Sequence, residues 1–122
     1  MGLDTYASRS QEDVELTAED EAAFEQAAIQ LCGGMWSGGG ASFRGKVYLD
    51  VVERVAAASL MEAWIPPEQV RDIAAAFDRC EPTQVAEEMK GGRYAVVAAE
   101  ILELRRFFRL CAERGLGLIG WW

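Results

Sequence analysis

The residues best equipped for chemistry cluster between Leu31 and Lys46, in the stretch Leu-Cys-Gly-Gly-Met-Trp-Ser-Gly-Gly-Gly-Ala-Ser-Phe-Arg-Gly-Lys. Six of the chain's twelve glycines fall here. Glycine tolerates positive φ and close backbone approach, at an entropic cost when it is ordered. A flexible linker would hold little besides Gly and Ser. This stretch also carries Met35, Trp36 and Phe43, which favour burial, and Arg44 and Lys46, which favour an anion or water. It reads as a folded loop packed on the body of the domain and as the leading site candidate. Its second half, Gly40-Ala-Ser-Phe-Arg-Gly-Lys46, matches the first seven positions of the phosphate-binding pattern G-x-x-x-x-G-K, in which backbone N–H groups and a lysine cradle phosphate ahead of a helix. Position 47 is Val47, where that pattern needs a hydroxyl for Mg²⁺, and no second motif of the class is present. A plain anion site made by Arg44, Lys46 and glycine amides is the better reading. The competing one pairs both cations with acids of the first helix.

Other reactive groups are sparse. The chain has no histidine, which excludes Ser-His-Asp and Cys-His nucleophiles and every His-ligated metal site. Cys32, ahead of two glycines, is the candidate thiol, with Lys46, Arg44 or a helix end to lower its pKa; burial as a small hydrophobe is the plainer role. Cys80 and Cys111 fall in helical segments and read as inert. Among carboxylates, Asp4 beside Tyr6 is the most suggestive pair, followed by Glu100 and Glu103, since burial can raise one pKa for acid–base work. Trp36, Trp121 and Trp122 suit a pocket for a flat or cationic ligand, or core and subunit packing. Neither a metal nor a cofactor is expected.

Charge bounds the partners. The net charge is −8, and it is unevenly spread. From Ser10 to Phe43 there are seven acids and no base, whereas from Arg44 onward eleven bases meet twelve acids. Such a surface repels phosphate backbones, so nucleic acid is not an expected partner. The acidic stretch reads either as a solvated helix face or as a mimic of nucleic acid that occupies a basic protein. No signal peptide is evident, Tyr6 stands where a myristoylation motif needs Ser or Thr, and no apolar run approaches a membrane span. Three cysteines without paired short spacings do not form a disulfide framework. A cytoplasmic, reduced setting with no membrane association follows as the expectation.

The elements that must position these residues are legible from periodicity. At 122 residues, half of them apolar, the chain makes one domain spanning 1–122. Leu3 to Ala7 alternates like a half-buried strand. Thr17 caps a helix, with Asp20 three residues on in a capping-box arrangement and Phe24, Ala27, Ala28 and Leu31 on its apolar face. That helix runs toward Leu31 or stops near Ala28, leaving Ile29 to Cys32 as a brief strand. Tyr48, Val51, Val52 and Val55 define a helix from about Arg44 to Leu60. Pro67 opens the next, with Val70, Ile73, Ala74 and Phe77 buried, and Pro82 a shorter one ended by Gly91 or Gly92. Arg93 to Arg114 reads as the longest helix, with Tyr94, Val97, Ile101, Leu104, Phe108 and Cys111 in one stripe that suits a core or a subunit seam.

The segment Gly115-Leu-Gly-Leu-Ile-Gly-Trp-Trp122 is apolar on both faces, as an interior strand would be, with Gly117 and Gly120 leaving a gap on each face for a ring or a backbone. Its predicted place is inside a small sheet with Leu3 to Ala7, lying over the glycine loop, with both tryptophans covered. Four or five helices and that sheet make an α+β fold.

The opening Met1-Gly-Leu-Asp-Thr-Tyr6, the block Leu31 to Gly38 with Ser42 to Lys46, and the closing Cys111 to Trp122 resemble small bacterial proteins of no assigned function. These are of the accessory kind carried by phages, integrons and other mobile elements. The resemblance brings no activity and no catalytic residues, and implies only that the loop and the tail belong together. The functional expectation is a non-enzymatic binding or interaction module, a homodimer, acting on an anionic or aromatic small ligand or a protein partner. Its working surface is Trp36, Arg44, Lys46, Trp121 and Trp122. The alternatives are a small enzyme using Cys32 or the Asp4/Tyr6 pair, and the acidic mimic.

Overall fold

The computed structural model describes residues 2–31 and 41–122. The elements in chain order are β1 (Asp4–Ser8), α1 (Ala18–Ala27), β2 (Ser42–Arg44), α2 (Gly45–Ala56), β3 (Trp64–Ile65), α3 (Pro67–Arg79), α4 (Pro82–Met89), α5 (Ala98–Arg114) and β4 (Gly117–Trp121). The four strands form one antiparallel sheet in the order β2-β1-β4-β3. The fold is α+β, and strands from near both ends of the chain pair at the centre of its sheet.

The alternation in β1 sorts the sheet into two faces. Thr5, Ala7, Phe43, Ile65 and Leu118 are buried on the helix side. Cross-strand partners Asp4, Arg44 and Trp121 form a row on the other side, and Tyr6, Ser42, Ile119 and Trp64 form the next. Helices supply the core: α3 and α5 make the most extensive helix contact, with Val70, Ile73, Ala74 and Phe77 facing Ile101, Leu104, Phe107, Phe108 and Cys111 in one buried cluster. Phe43 stands edge-on to Phe107 at 4.9 Å between ring centroids and to Tyr48 at 5.6 Å, an arrangement the ring quadrupoles favour. Arg105 reaches from α5 to the carbonyls of Phe77 and Cys80, satisfying acceptors left over at the end of α3.

Both gaps in β4 are filled as its sequence predicts. A Cβ on Gly117 would come within 2.7 Å of the Trp64 ring and of the Ile65 carbonyl oxygen. One on Gly120 would collide with the Glu62 carbonyl oxygen and sit 3.0 Å from that of Leu60. The capping box of α1 is also present: Asp20 N–H donates to Thr17 Oγ1, and Thr17 N–H donates to Asp20 Oδ2.

Four expectations are corrected. Helix α2 ends at Ala56, where Ala57 turns left-handed with φ 52°, and not at Leu60; Leu60 is buried in the following loop. Helix α5 starts at Ala98 and not at Arg93, because Glu100 turns its carboxylate back to accept the Val97 N–H and so closes the first turn there. Val97 is therefore 60% exposed, and Val96 is the buried residue of this connection. Finally, the tryptophans that were expected to be covered are exposed, Trp121 by 67% and Trp122 by 49%. The pairing explains it: β3 reaches only Leu118 and Ile119, so β4 runs past its neighbour on that side. Helix α1 stops at Ala27 with Ala28 left-handed, and residues 29–31 form no strand. No helix among the described residues is long and apolar enough to cross a membrane.

Candidate functional site

The described candidates converge on one corner of the molecule. Asp4 of β1 is the cross-strand partner of both Arg44 and Trp121, so three of them share a row on the sheet face turned from the helices. Tyr6 lies one row along, opposite Ser42 and Ile119. Trp122 follows Trp121 in the strand and takes the opposite face. Its ring lies over Gly120, with Cζ3 at 3.2 Å from where a Cβ would be.

Around the corner from that row, on the helix side, is a cleft of about 210 Å³. Its floor is apolar, made by Leu3, Leu49 and Met61. Two aromatic residues, Tyr94 and Trp122, and two cations, Lys46 and Arg93, complete it together with Gly2. Each wall has a local cause. Lys46 is the second residue of α2, brought to the cleft because Gly45 packs so tightly on β1 that a Cβ there would strike Thr5 Oγ1. The Lys46 N–H donates to the Leu3 carbonyl at 3.3 Å, which ties the start of the helix to the residue ahead of β1. Arg44, at the N-cap of α2, makes no side-chain cap hydrogen bond.

Arg93 and Tyr94 come from the connection after α4, where Gly91 adopts a φ of 81° that admits the turn. The Arg93 guanidinium stands 5.8 Å from the centre of the Tyr94 ring and 3.2 Å from Asp50 Oδ1. Arg44 adds a third cation nearby. Its Nη2 lies 3.0 Å from where a Cβ on Gly2 would be, and Gly2 is part of the cleft wall.

Arg44, Lys46, Trp121 and Trp122 thus lie in one region, split between the sheet face turned from the helices and a cleft. Trp36 and Cys32, with Gly40 and the glycine loop itself, lie outside the described residues, as does the expected contact between that loop and the terminal strand. Burial first, then the Asp4 charge, push the Tyr6 phenol above its ordinary value, so it stays protonated at neutral pH. The other carboxylate candidates are engaged in holding helix ends. Glu100 accepts the Tyr48 hydroxyl at 2.9 Å and the Val97 N–H at 3.2 Å. Glu103 accepts the Gln30 N–H at 2.6 Å and pairs with Arg106. Burial opposes ionisation of Glu103, yet those two partners outweigh it and hold its carboxyl below the usual range. Cys111 is fully buried and its thiol is pushed far up by desolvation, which removes it from thiolate chemistry.

Sequence reasoning missed Arg93, Tyr94, Leu3, Leu49 and Met61 as site residues. A signal was there for the first two, since Gly91-Gly92-Arg93-Tyr94 pairs glycines with a base and an aromatic as the 31–46 stretch does. Among the described residues no group of three or more acids and cysteines is arranged to hold a metal ion. No protein family matches the chain, and neither curated proteins nor solved structures yield a match.

Proposed function

We propose that this protein is a non-enzymatic binding module whose cleft takes a small anionic ligand with an apolar body. One observation supports the reading: Lys46 and Arg93, far apart in sequence, both line a cleft that also holds Leu3, Leu49 and Met61. Cations set at the rim of an apolar cleft supply the few convergent polar groups that fix a ligand's orientation, while the floor supplies affinity. The described lining carries neither a carboxylate nor a thiol, the groups a histidine-free enzyme would need for acid–base or nucleophilic work.

The test is a thermal-shift screen of small anionic, cationic and neutral compounds on the full chain. A ligand at one hundred times its Kd adds about 2.7 kcal/mol of stability, a shift of several degrees. Anions raising Tm, with the gain lost in Arg93→Ala and Lys46→Ala, is the expected result. A screen in which only cationic compounds stabilise, or none does, overturns it.

A further inference from the structure

The dimensions and chemistry of the same cleft narrow the ligand further, on the premise that the reading above holds. We infer that its ligand is a one-ring aromatic monocarboxylate, the carboxylate held by Arg93 and Lys46 and the ring set against Tyr94 and Trp122 over Met61.

Size is the first argument. The cleft holds about 210 Å³. An apolar cavity of roughly 150 Å³ accommodates benzene. What remains here suits one carboxylate.

Shape and polarity are the second. A flat ring meets the faces and edges of Tyr94 and Trp122 in the offset or edge-on arrangements that aromatic pairs prefer. Met61 is about half exposed, although its thioether belongs against apolar or aromatic surface. A linear alkyl acid would bury its chain on the same floor without using either aromatic residue.

Charge is the third. Arg93 already stands over the Tyr94 ring, which orients its fork of N–H donors beside the aromatic wall. That geometry matches a carboxylate attached directly to a ring, because the guanidinium binds planar carboxylates through two parallel hydrogen bonds. Asp50, paired with Arg93 at 3.2 Å, offsets part of the arginine's charge, so this end of the cleft suits one negative charge better than two. Lys46, in the first turn of α2, is the second cation of the cleft lining.

The experiment titrates the full chain with benzoate, benzamide, acetate and inorganic phosphate, read by tryptophan fluorescence and by the amide signals of residues 46, 93 and 122. Benzoate is expected to perturb all three signals. Benzamide, which keeps the ring and lacks the charge, should bind at least tenfold more weakly, and acetate, which keeps the charge and lacks the ring, a hundredfold more weakly. Arg93→Gln should cost benzoate about tenfold and Arg93→Lys less. Trp122→Leu should cost benzoate affinity while leaving the acetate response unchanged. Acetate or phosphate binding at these residues as tightly as benzoate would overturn the aromatic assignment and leave the anion-binding reading standing. Benzamide binding as tightly as benzoate would overturn the carboxylate. Silence from all four compounds at these residues overturns this inference, while the broader screen decides the reading beneath it.

Discussion

The two ends of the central strand pair differ in how they treat charge. At the Ser8/Gly117 end, Asp20 has no exposed surface and is held on all sides. Arg9 donates to it twice, at 2.6 and 2.7 Å, Arg114 donates once at 2.6 Å, and the Thr17 N–H once at 3.0 Å. Ser8 beside it accepts the N–H groups of Ser10 and Glu15 and donates to the carbonyl of Ser10 or Asp13. That knot joins β1, the start of α1 and the end of α5. At the Asp4/Trp121 end, Arg93 and both terminal tryptophans keep much of their surface in water, and Met61 stays half out of the core. A buried charge stabilises a fold only when every partner is in place. Leaving rings and charges under-buried costs stability that folding would otherwise have gained. One end closes around its charge, and the other leaves its rings and a cation largely in water.

The strongest way to break that contrast is to remove the buried carboxylate. Asp20→Ala strands two arginines and should cost about 3–5 kcal/mol, measured by urea unfolding. Arg9→Ala or Arg114→Ala should cost less, since each side chain keeps about a third of its surface in water. Next in size, Gly120→Ala forces a methyl group onto a backbone carbonyl and should cost about 1–3 kcal/mol by the same measurement. A loss below the error of the midpoint would mean that the loop at 60–63 can move aside.

The pH response sharpens the comparison. Hydrogen bonds from Arg9, then from Thr17 and Arg114, outweigh the effect of burial and hold the Asp20 carboxyl well below its usual range. The unfolded chain therefore takes up a proton at higher pH than the folded one. The stabilisation is complete above the ordinary carboxylate value of about 3.9 and fades as pH falls through that value toward the depressed one. The gap in urea midpoint between the wild type and Asp20→Asn should thus be widest at neutral pH and shrink below about pH 4. Smallest of all, Trp121→Ala should change stability by no more than about 0.5 kcal/mol, as exposed substitutions usually do. Lys46→Ala alone should reduce anion binding, because Trp121 points away from the cleft.

Much of this was legible in the sequence where the signal was local or two-sided. Thr17 and Asp20 announce the cap of α1 by spacing, and apolar residues on both faces of 116–122 announce a central strand. What spacing hides is the second task of Asp20, whose partners Arg9 and Arg114 lie 11 and 94 residues away along the chain. Strands β2 and β3 are three and two residues long, too short to show a period of two. Their brevity also misled the reading of Trp121 and Trp122, because a strand counts as covered only as far as its neighbours extend. The periodicity through Tyr94 and Val97 continued the stripe of α5 across a boundary that one carboxylate, Glu100, sets.

Gly2 and Trp122 border the same cleft. Residues far apart in sequence are thus neighbours in space, so a short tether joining residues 2 and 122 would cross the opening.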